Sequence, residues 1–193
     1  AVPLHTGNGC TRHVWSFIHK LGSPRWCYRI TTPWLPWLGL VSGALLLTGA
    51  VWGLAFAPPD FRQGNSYRII FIHVPAAFIS LAGYYLMAAA GAVSLIWKIK
   101  VSDKVLKSCA GIGAAMTFVA LVSGAIWGKP TWGTWWVWDA RITSMLVLFF
   151  LYLGVVALHQ AFEDRDIAAR ACAVLALVGT VNIPIIYKSV DWW

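Results

Sequence analysis

Charge is what this sequence has least of. Of its 193 residues only 11% are Asp, Glu, Lys or Arg and 59% are apolar; a soluble domain has about 25% charged residues and about 45–50% apolar ones. A chain this poor in charge cannot cover a water-facing surface. That excludes a soluble enzyme, a disordered protein and a nucleic-acid-binding domain. Acids are scarcer still, with 7 Asp and Glu against 15 Lys and Arg and a net charge of +8. In a soluble protein that excess would suggest nucleic acid; here the cations sit between apolar runs, where they orient helices in a bilayer. Cysteine is sparse. Cys10, Cys27, Cys109 and Cys172 form no CxxC or CxxCH pattern, which excludes a cysteine metal site or a covalent haem attachment, and they count as small apolar residues. There is no Walker sequence, no HExxH and no GxSxG. No acid–base pair or nucleophile set emerges, so the chain is not predicted to be an enzyme. No internal repeat marks it as an inverted-repeat transporter.

Long apolar runs are abundant. A bilayer core needs about 20 residues of helix, and unbroken runs of that length are helices, because barrel strands alternate and are half as long. The predicted fold is all-α, a polytopic transmembrane helix bundle. Its spans are placed at Trp34 to Ala57, Ile69 to Trp97, Cys109 to Trp127, Thr143 to Phe162 and Ala168 to Tyr187. Residues 1–33 form an N-terminal segment, 34–187 the bundle, and 188–193 the start of an external loop. Residues 1–13 carry no assignable function, and residues 15–33 mix aromatics with cations as an interfacial segment does. The pairs Gly39 and Gly43, Gly49 and Gly53, and Gly124 and Gly128 have helix-packing spacing. Pro75 and Pro184 are expected to kink or bound their spans.

The cations set the orientation. Arg12, Lys20, Arg25 and Arg29, the loop residues Lys98, Lys100, Lys104 and Lys107, and Arg165 with Arg170 total ten on one side, against five on the other. The N-terminus is therefore expected in the cytoplasm, with the loop around 127–142, the start of the second span and the chain's end outside.

Tryptophan is the outlier: 13 in all, five of them between Trp127 and Trp138. The run Trp132-Gly133-Thr134-Trp135-Trp136-Val137-Trp138-Asp139 exceeds an ordinary aromatic belt. Indoles offer broad flat faces with one N–H each, and Gly133 allows close backbone approach, so the cluster suits a large planar apolar ligand. His73, in Phe71-Ile72-His73-Val74-Pro75 on the same side, is either bonded to a neighbouring carbonyl or is a metal ligand. Beside a planar-ligand shelf the metal-ligand reading gains, with haem iron as the metal. His5, His13, His19 and His159 lie toward the other side, leaving one axial position unaccounted for. Asp139 suits a structural role as well as a ligand contact. Arg68, Lys129 and Arg141 either meet the acidic groups of a ligand or anchor helix ends. The acidic run Glu163-Asp164-Arg165-Asp166 is a solvated inner loop.

These residues resemble a known family. Trp132 to Asp139 is similar to the WWD domain of haem-handling membrane proteins of cytochrome c biogenesis. Gly64 to Ala77, Trp127-Gly128-Lys129-Pro130, Asp139 to Ser144 and Asn182 to Ile186 extend the match to the cytochrome c maturation protein C family, also called haem exporter protein C. The larger WWD proteins follow Trp-Asp with Pro, where this chain has Ala140. The resemblance implies a bacterial inner-membrane protein, with an organellar inner membrane as the alternative. It implies transient binding of b-type haem at the outer face and presentation to a periplasmic haem chaperone, in association with an ATP-binding-cassette complex. His73 would hold the iron; Trp132, Gly133, Trp135, Trp136 and Trp138 would form the shelf, supported by Asp139 and Arg141. Family members have six spans, with a second axial His beyond the double Trp that matches Trp192-Trp193. The sequence stops there, so the expectation is a fragment with five spans. Two rivals are a haem lyase component, which would carry a large extra periplasmic domain and more histidines, and a membrane scaffold whose Trp loop docks a protein without haem.

Overall fold

The computed structural model of the chain describes residues 23–189 and Asp191. Cys10, Arg12, Lys20, His5, His13, His19, Trp192 and Trp193 lie outside the described residues. Among the described residues the fold is helical: α1 (Pro24–Thr31), α2 (Leu35–Val51), α3 (Ile70–Trp97), α4 (Lys100–Trp132), α5 (Ala140–Ala161), α6 (Arg165–Gly179) and α7 (Asn182–Ser189). They combine into five stretches long and apolar enough to cross a membrane: Pro24–Phe56, Asn65–Trp97, Lys100–Trp132, Ala140–Ala161 and Arg165–Ser189. The protein is a multi-pass membrane protein.

Local chemistry explains the boundaries. The first span begins at Pro24, ten residues before the expected start at Trp34. Pro33 cannot donate to the turn before it, and the Thr31 and Thr32 hydroxyls take up the Cys27 and Tyr28 carbonyls at 2.8 and 2.6 Å, carrying the helix through a 3-10 turn into α2. At its far end α2 widens into a π turn over Trp52–Phe56. The Arg68 guanidinium, arriving from the next span, donates to the Ala57 and Leu54 carbonyls, both at 3.0 Å. Those carbonyls would otherwise lack partners at a helix end.

The basic stretch 98–107, expected as a loop, is almost all helix. Only Lys98 and Ile99 separate α3 from α4. The stretch holds no Pro or Gly to break a helix, Lys98 takes the left-handed conformation (φ 53°), and Asp103 in the first turn of α4 favours the positive end of the helix dipole. Asp103 also accepts from the Ser94 hydroxyl across the turn. The acidic run has a definite job as well. Asp164 caps α6, accepting from the Asp166 and Ile167 N–H groups at 2.8 and 3.2 Å. The last span is broken at Thr180–Val181, because Pro184 has no N–H for the Thr180 carbonyl; Ile183 donates there instead, at 3.1 Å. Pro75 lies inside α3 rather than at its start.

Helices α3, α4, α5 and α6 pack as a closed ring, each against its two neighbours, and α7 returns onto α5. At the centre Tyr84, Met87, Leu106, Leu148, Tyr152 and Val155 are fully buried. The Tyr84 and Tyr152 rings meet edge-on at 5.1 Å, and the Tyr152 hydroxyl donates to the Ser80 carbonyl at 2.6 Å. Within a bilayer such packing, rather than expulsion of water, holds helices together. Close approach comes from Gly91, Gly113 and Gly179, which face Ala173, Tyr152 and Tyr84; a Cβ on the expected Gly39, Gly43 or Gly49 would meet nothing within 4 Å among the described residues. The first span meets the ring where Gly53 receives the Phe71 side chain and where α1 reaches α4, with Lys104 Nζ 5.7 Å from the Tyr28 ring centroid.

Candidate functional site

One end of the bundle holds a cavity of about 370 Å³, within the size range of small-molecule sites, about 300–1,000 Å³. The start of α3, the last turns of α4, the start of α5 and the loop after the first span converge there. Helix α3 presents His73, Ala77 and Leu81 at four-residue intervals, on one face. Helix α4 presents Ala120, Gly124, Trp127 and Thr131 on its facing side. The site is mostly apolar, with Gln63, His73, Thr131, Trp136 and Arg141 as its polar contributors.

The Trp cluster is divided between a helix and a loop. Helix α4 continues through Pro130 to Trp132, so Trp127 and Trp132 are helical and the connecting segment shortens to 133–139. Gly133 ends the helix at φ 80°, a conformation that side chains resist. Its N–H meets the Lys129 carbonyl and its own carbonyl accepts from Lys129 Nζ at 3.0 Å. Thr134 ties the turn to the Trp136 backbone. Asp139 starts α5 by accepting from the Ile142 N–H at 2.7 Å.

The chain thus brings four of the predicted site residues to the cavity wall: His73, Trp132, Trp136 and Arg141. Gly133 and Asp139 shape the backbone on either side of the loop. Trp135 and Trp138 do not line the cavity; Trp138 is 74% exposed, although its ring meets Trp136 edge-on at 5.5 Å. Of the three predicted cations, Arg68 is spent on helix-end carbonyls and Lys129 on Gly133. Arg141 lines the cavity, its guanidinium carbon 5.9 Å from the Trp132 ring centroid.

Two buried N–H groups at the wall, Trp136 Nε1 and Arg141 Nε, have no acceptor among the described residues. Buried donors of this kind ordinarily have partners; the other buried side-chain nitrogen without one among the described residues is His159 Nε2, away from the cavity. His73 is half-buried; its Nδ1 lies 3.0 Å from the Ala120 carbonyl and 3.1 Å from Ser123 Oγ, and its ring meets Trp127 edge-on at 5.8 Å. Among the described residues no three His, Cys, Asp or Glu side chains gather as a metal site.

Sequence reasoning left three contributors out of the site. Trp127 is pinned by its Nε1 donating to Gln63 Oε1 at 2.8 Å. Gln63 itself sits in a turn folded around Asp60, whose carboxylate accepts from the Arg62 and Gln63 N–H groups, both at 2.8 Å. Those two N–H groups, Gln63 first, hold the Asp60 carboxyl below its usual range. Gly124 faces His73. Trp127 belonged to the tryptophan cluster in any case, but no local pattern marks Gln63.

The family model described as Heme exporter protein C matches residues 17–193. The chain belongs to that family. The haem exporter protein C of Escherichia coli (strain K12) is 52% identical over 180 residues, covering 93% of this chain and 74% of that protein. The one from Haemophilus influenzae is 50% identical over 180 residues, 93% of this chain and 73% of that protein. A mitochondrial protein of Marchantia polymorpha, named as ccmC-like and for cytochrome c biosynthesis, is 47% identical over 137 residues, 71% of this chain and 58% of that protein. The haem exporter protein C family is a membrane transport and maturation component, not an enzyme family.

Proposed function

We propose that this protein binds haem in the cavity at the outer end of its bundle and presents it to a periplasmic haem chaperone during cytochrome c maturation. The observation that carries the reading is the wall itself: one imidazole with Nδ1 engaged, the indoles of Trp127, Trp132 and Trp136, and two donors without partners among the described residues, Trp136 Nε1 and Arg141 Nε. Haem is planar and apolar, carries two carboxylates, and brings an iron already held by four nitrogens. Each property meets one feature of the wall. His73 holds the iron through Nε2, the indoles hold the macrocycle, and the two donors meet the propionates. Gly133, Trp135, Trp138 and Asp139 serve from the rim, Gly133 and Asp139 by fixing the loop. The b-type haem is cargo and is held transiently.

The ten-to-five excess of cations supports a cytoplasmic N-terminus and an outward-facing cavity, in the inner membrane of a bacterium. An ATP-binding-cassette complex is the proposed membrane partner, as the resemblance to the haem exporter protein C family implies.

The test is the absorption spectrum of the chain purified in detergent from haem-replete cells, beside His73→Ala. A Soret band that shrinks or shifts in the variant supports the reading; equal Soret bands in both overturn iron ligation by His73. The exposure of Trp135 and Trp138 favours a second reading, in which the Trp loop docks a protein without haem. That reading predicts no Soret band at any stage and loss of chaperone capture on replacing these two indoles.

A further inference from the structure

His73 packs against three neighbouring positions of α4. Residues 120, 123 and 124 share one face of the helix. The Ala120 carbonyl lies 3.0 Å from His73 Nδ1 and Ser123 Oγ lies 3.1 Å from it. A carbonyl can only accept. The Ser123 hydroxyl has one proton and donates it along its own helix, to the Val119 carbonyl at 2.6 Å and more weakly to Ala120 at 3.2 Å. Toward His73 it therefore offers only a lone pair. Both neighbours of Nδ1 are acceptors, and both contacts are made only when Nδ1 carries the proton.

Gly124 completes the arrangement. A Cβ there would sit 3.0 Å from His73 Cε1 and 3.4 Å from Nδ1, pressing the ring away from the Ala120 carbonyl. The absence of a side chain is what lets the imidazole lie against the helix. Ser123 is buried and does not line the cavity, so it can act on a ligand only through His73.

We infer that the Ala120 carbonyl, the Ser123 hydroxyl and Gly124 form a cradle that fixes the Nδ1–H tautomer and the ring orientation of His73, leaving Nε2 as the nitrogen available to iron. The inference rests on the proposed haem reading, and Ser123 is a positioning residue in it. A neutral imidazole with its lone pair on Nε2 is ready to bind a metal with no proton to lose, and the Nδ1 hydrogen bond makes it a better electron donor.

Two measurements test this, one of them without haem. The first uses the chain labelled with 15N-histidine in detergent, with His73 assigned by its absence in His73→Asn. The expected spectrum has a protonated Nδ1 and a bare Nε2, with the bias weakened in Ser123→Ala and Gly124→Ala and kept in Ser123→Thr. The second is haem titration with the midpoint potential of the bound haem. Ser123→Ala is expected to lose affinity about ten-fold and Gly124→Ala up to about a hundred-fold, the range seen for partners of metal-bound histidines. The potential moves positive in both, and Ser123→Thr stays near wild type. Should Gly124→Ala fail to fold, the Ser123 pair decides alone. A wild-type His73 protonated on Nε2 overturns the cradle. So does an unchanged tautomer, affinity and potential in Ser123→Ala while His73→Asn loses haem. Haem binding that survives His73→Asn intact overturns the iron-ligand reading instead.

Discussion

Arg141 and Trp136 each bring a buried N–H to the cavity wall with no acceptor among the described residues, whereas Trp135 and Trp138 point their bulk outside it. The two pairs should separate in a haem titration. A hydrogen bond to a charged acceptor is worth about 1.5–3 kcal/mol, so Arg141→Gln and Trp136→Phe should each weaken haem retention by roughly ten- to a hundred-fold. Trp135→Phe and Trp138→Phe should leave haem affinity near wild type and show their effect in chaperone loading. Sequence made all of these residues candidates, because five indoles within twelve residues are legible as a cluster. It could not sort wall from rim. That division depends on where α4 stops, and Gly133 decides it through a backbone angle rather than a side chain. Gln63 was illegible for a different reason: its partner Trp127 is 64 residues away, and the contact exists only after the bundle has formed.

Among the elements, the loop after the first span and the glycine contacts of the ring carry the testable consequences. The Asp60 carboxyl is held below its usual range by the Gln63 and Arg62 N–H groups. A lowered pKa means that the turn's contribution is present above the ordinary carboxylate range and lost as pH falls through the lowered value. Trp127 fluorescence should therefore stay constant from pH 7 to pH 5 and change only below about pH 4, while Asp60→Asn should give the altered signal already at pH 7. In the ring, a Cβ on Gly113 would fall within the volume of the Tyr152 ring. Overpacking of this kind typically costs about 1–3 kcal/mol. Gly113→Ala should lower the melting temperature in detergent, whereas Gly39→Ala, where a Cβ would meet none of the described residues, should not. The number and helical nature of the spans were legible from hydropathy alone. Their limits were not, because lysines that suggest a loop also sit comfortably on a helix end, and Pro24, Pro33 and Pro36 are all accommodated at helix starts.

At the scale of the whole molecule, four spans form a ring and the first leans against its side. The cavity and the loops over it lie at one end; the turn at Lys98, the His159 end of α5 and the start of α6 lie at the other. The proposed orientation makes a direct prediction. With Cys10, Cys27, Cys109 and Cys172 replaced, a single cysteine at Thr134 should react with an impermeant thiol reagent added to the outer face of spheroplasts. One at Glu163 should react only after the membrane is opened, and the reverse pattern would invert the topology. The family was legible from motifs distributed along the chain. The geometry adds how the motifs meet: His73 and Arg141 are 68 residues apart in sequence and line one cavity.

The central claim is that His73 supplies a ligand to haem iron in that cavity, and chemical rescue tests it most directly. His73→Gly removes the imidazole and leaves a space beside Gly124 where a free one can enter. The spectrum of this variant with haem, recorded before and after imidazole is added, is the measurement. The account predicts a weak or displaced Soret band that returns to the wild-type position with imidazole, and no such response when Arg141→Gln is treated in the same way. A His73→Gly variant whose Soret band already equals the wild type, and which does not respond to imidazole, would contradict it.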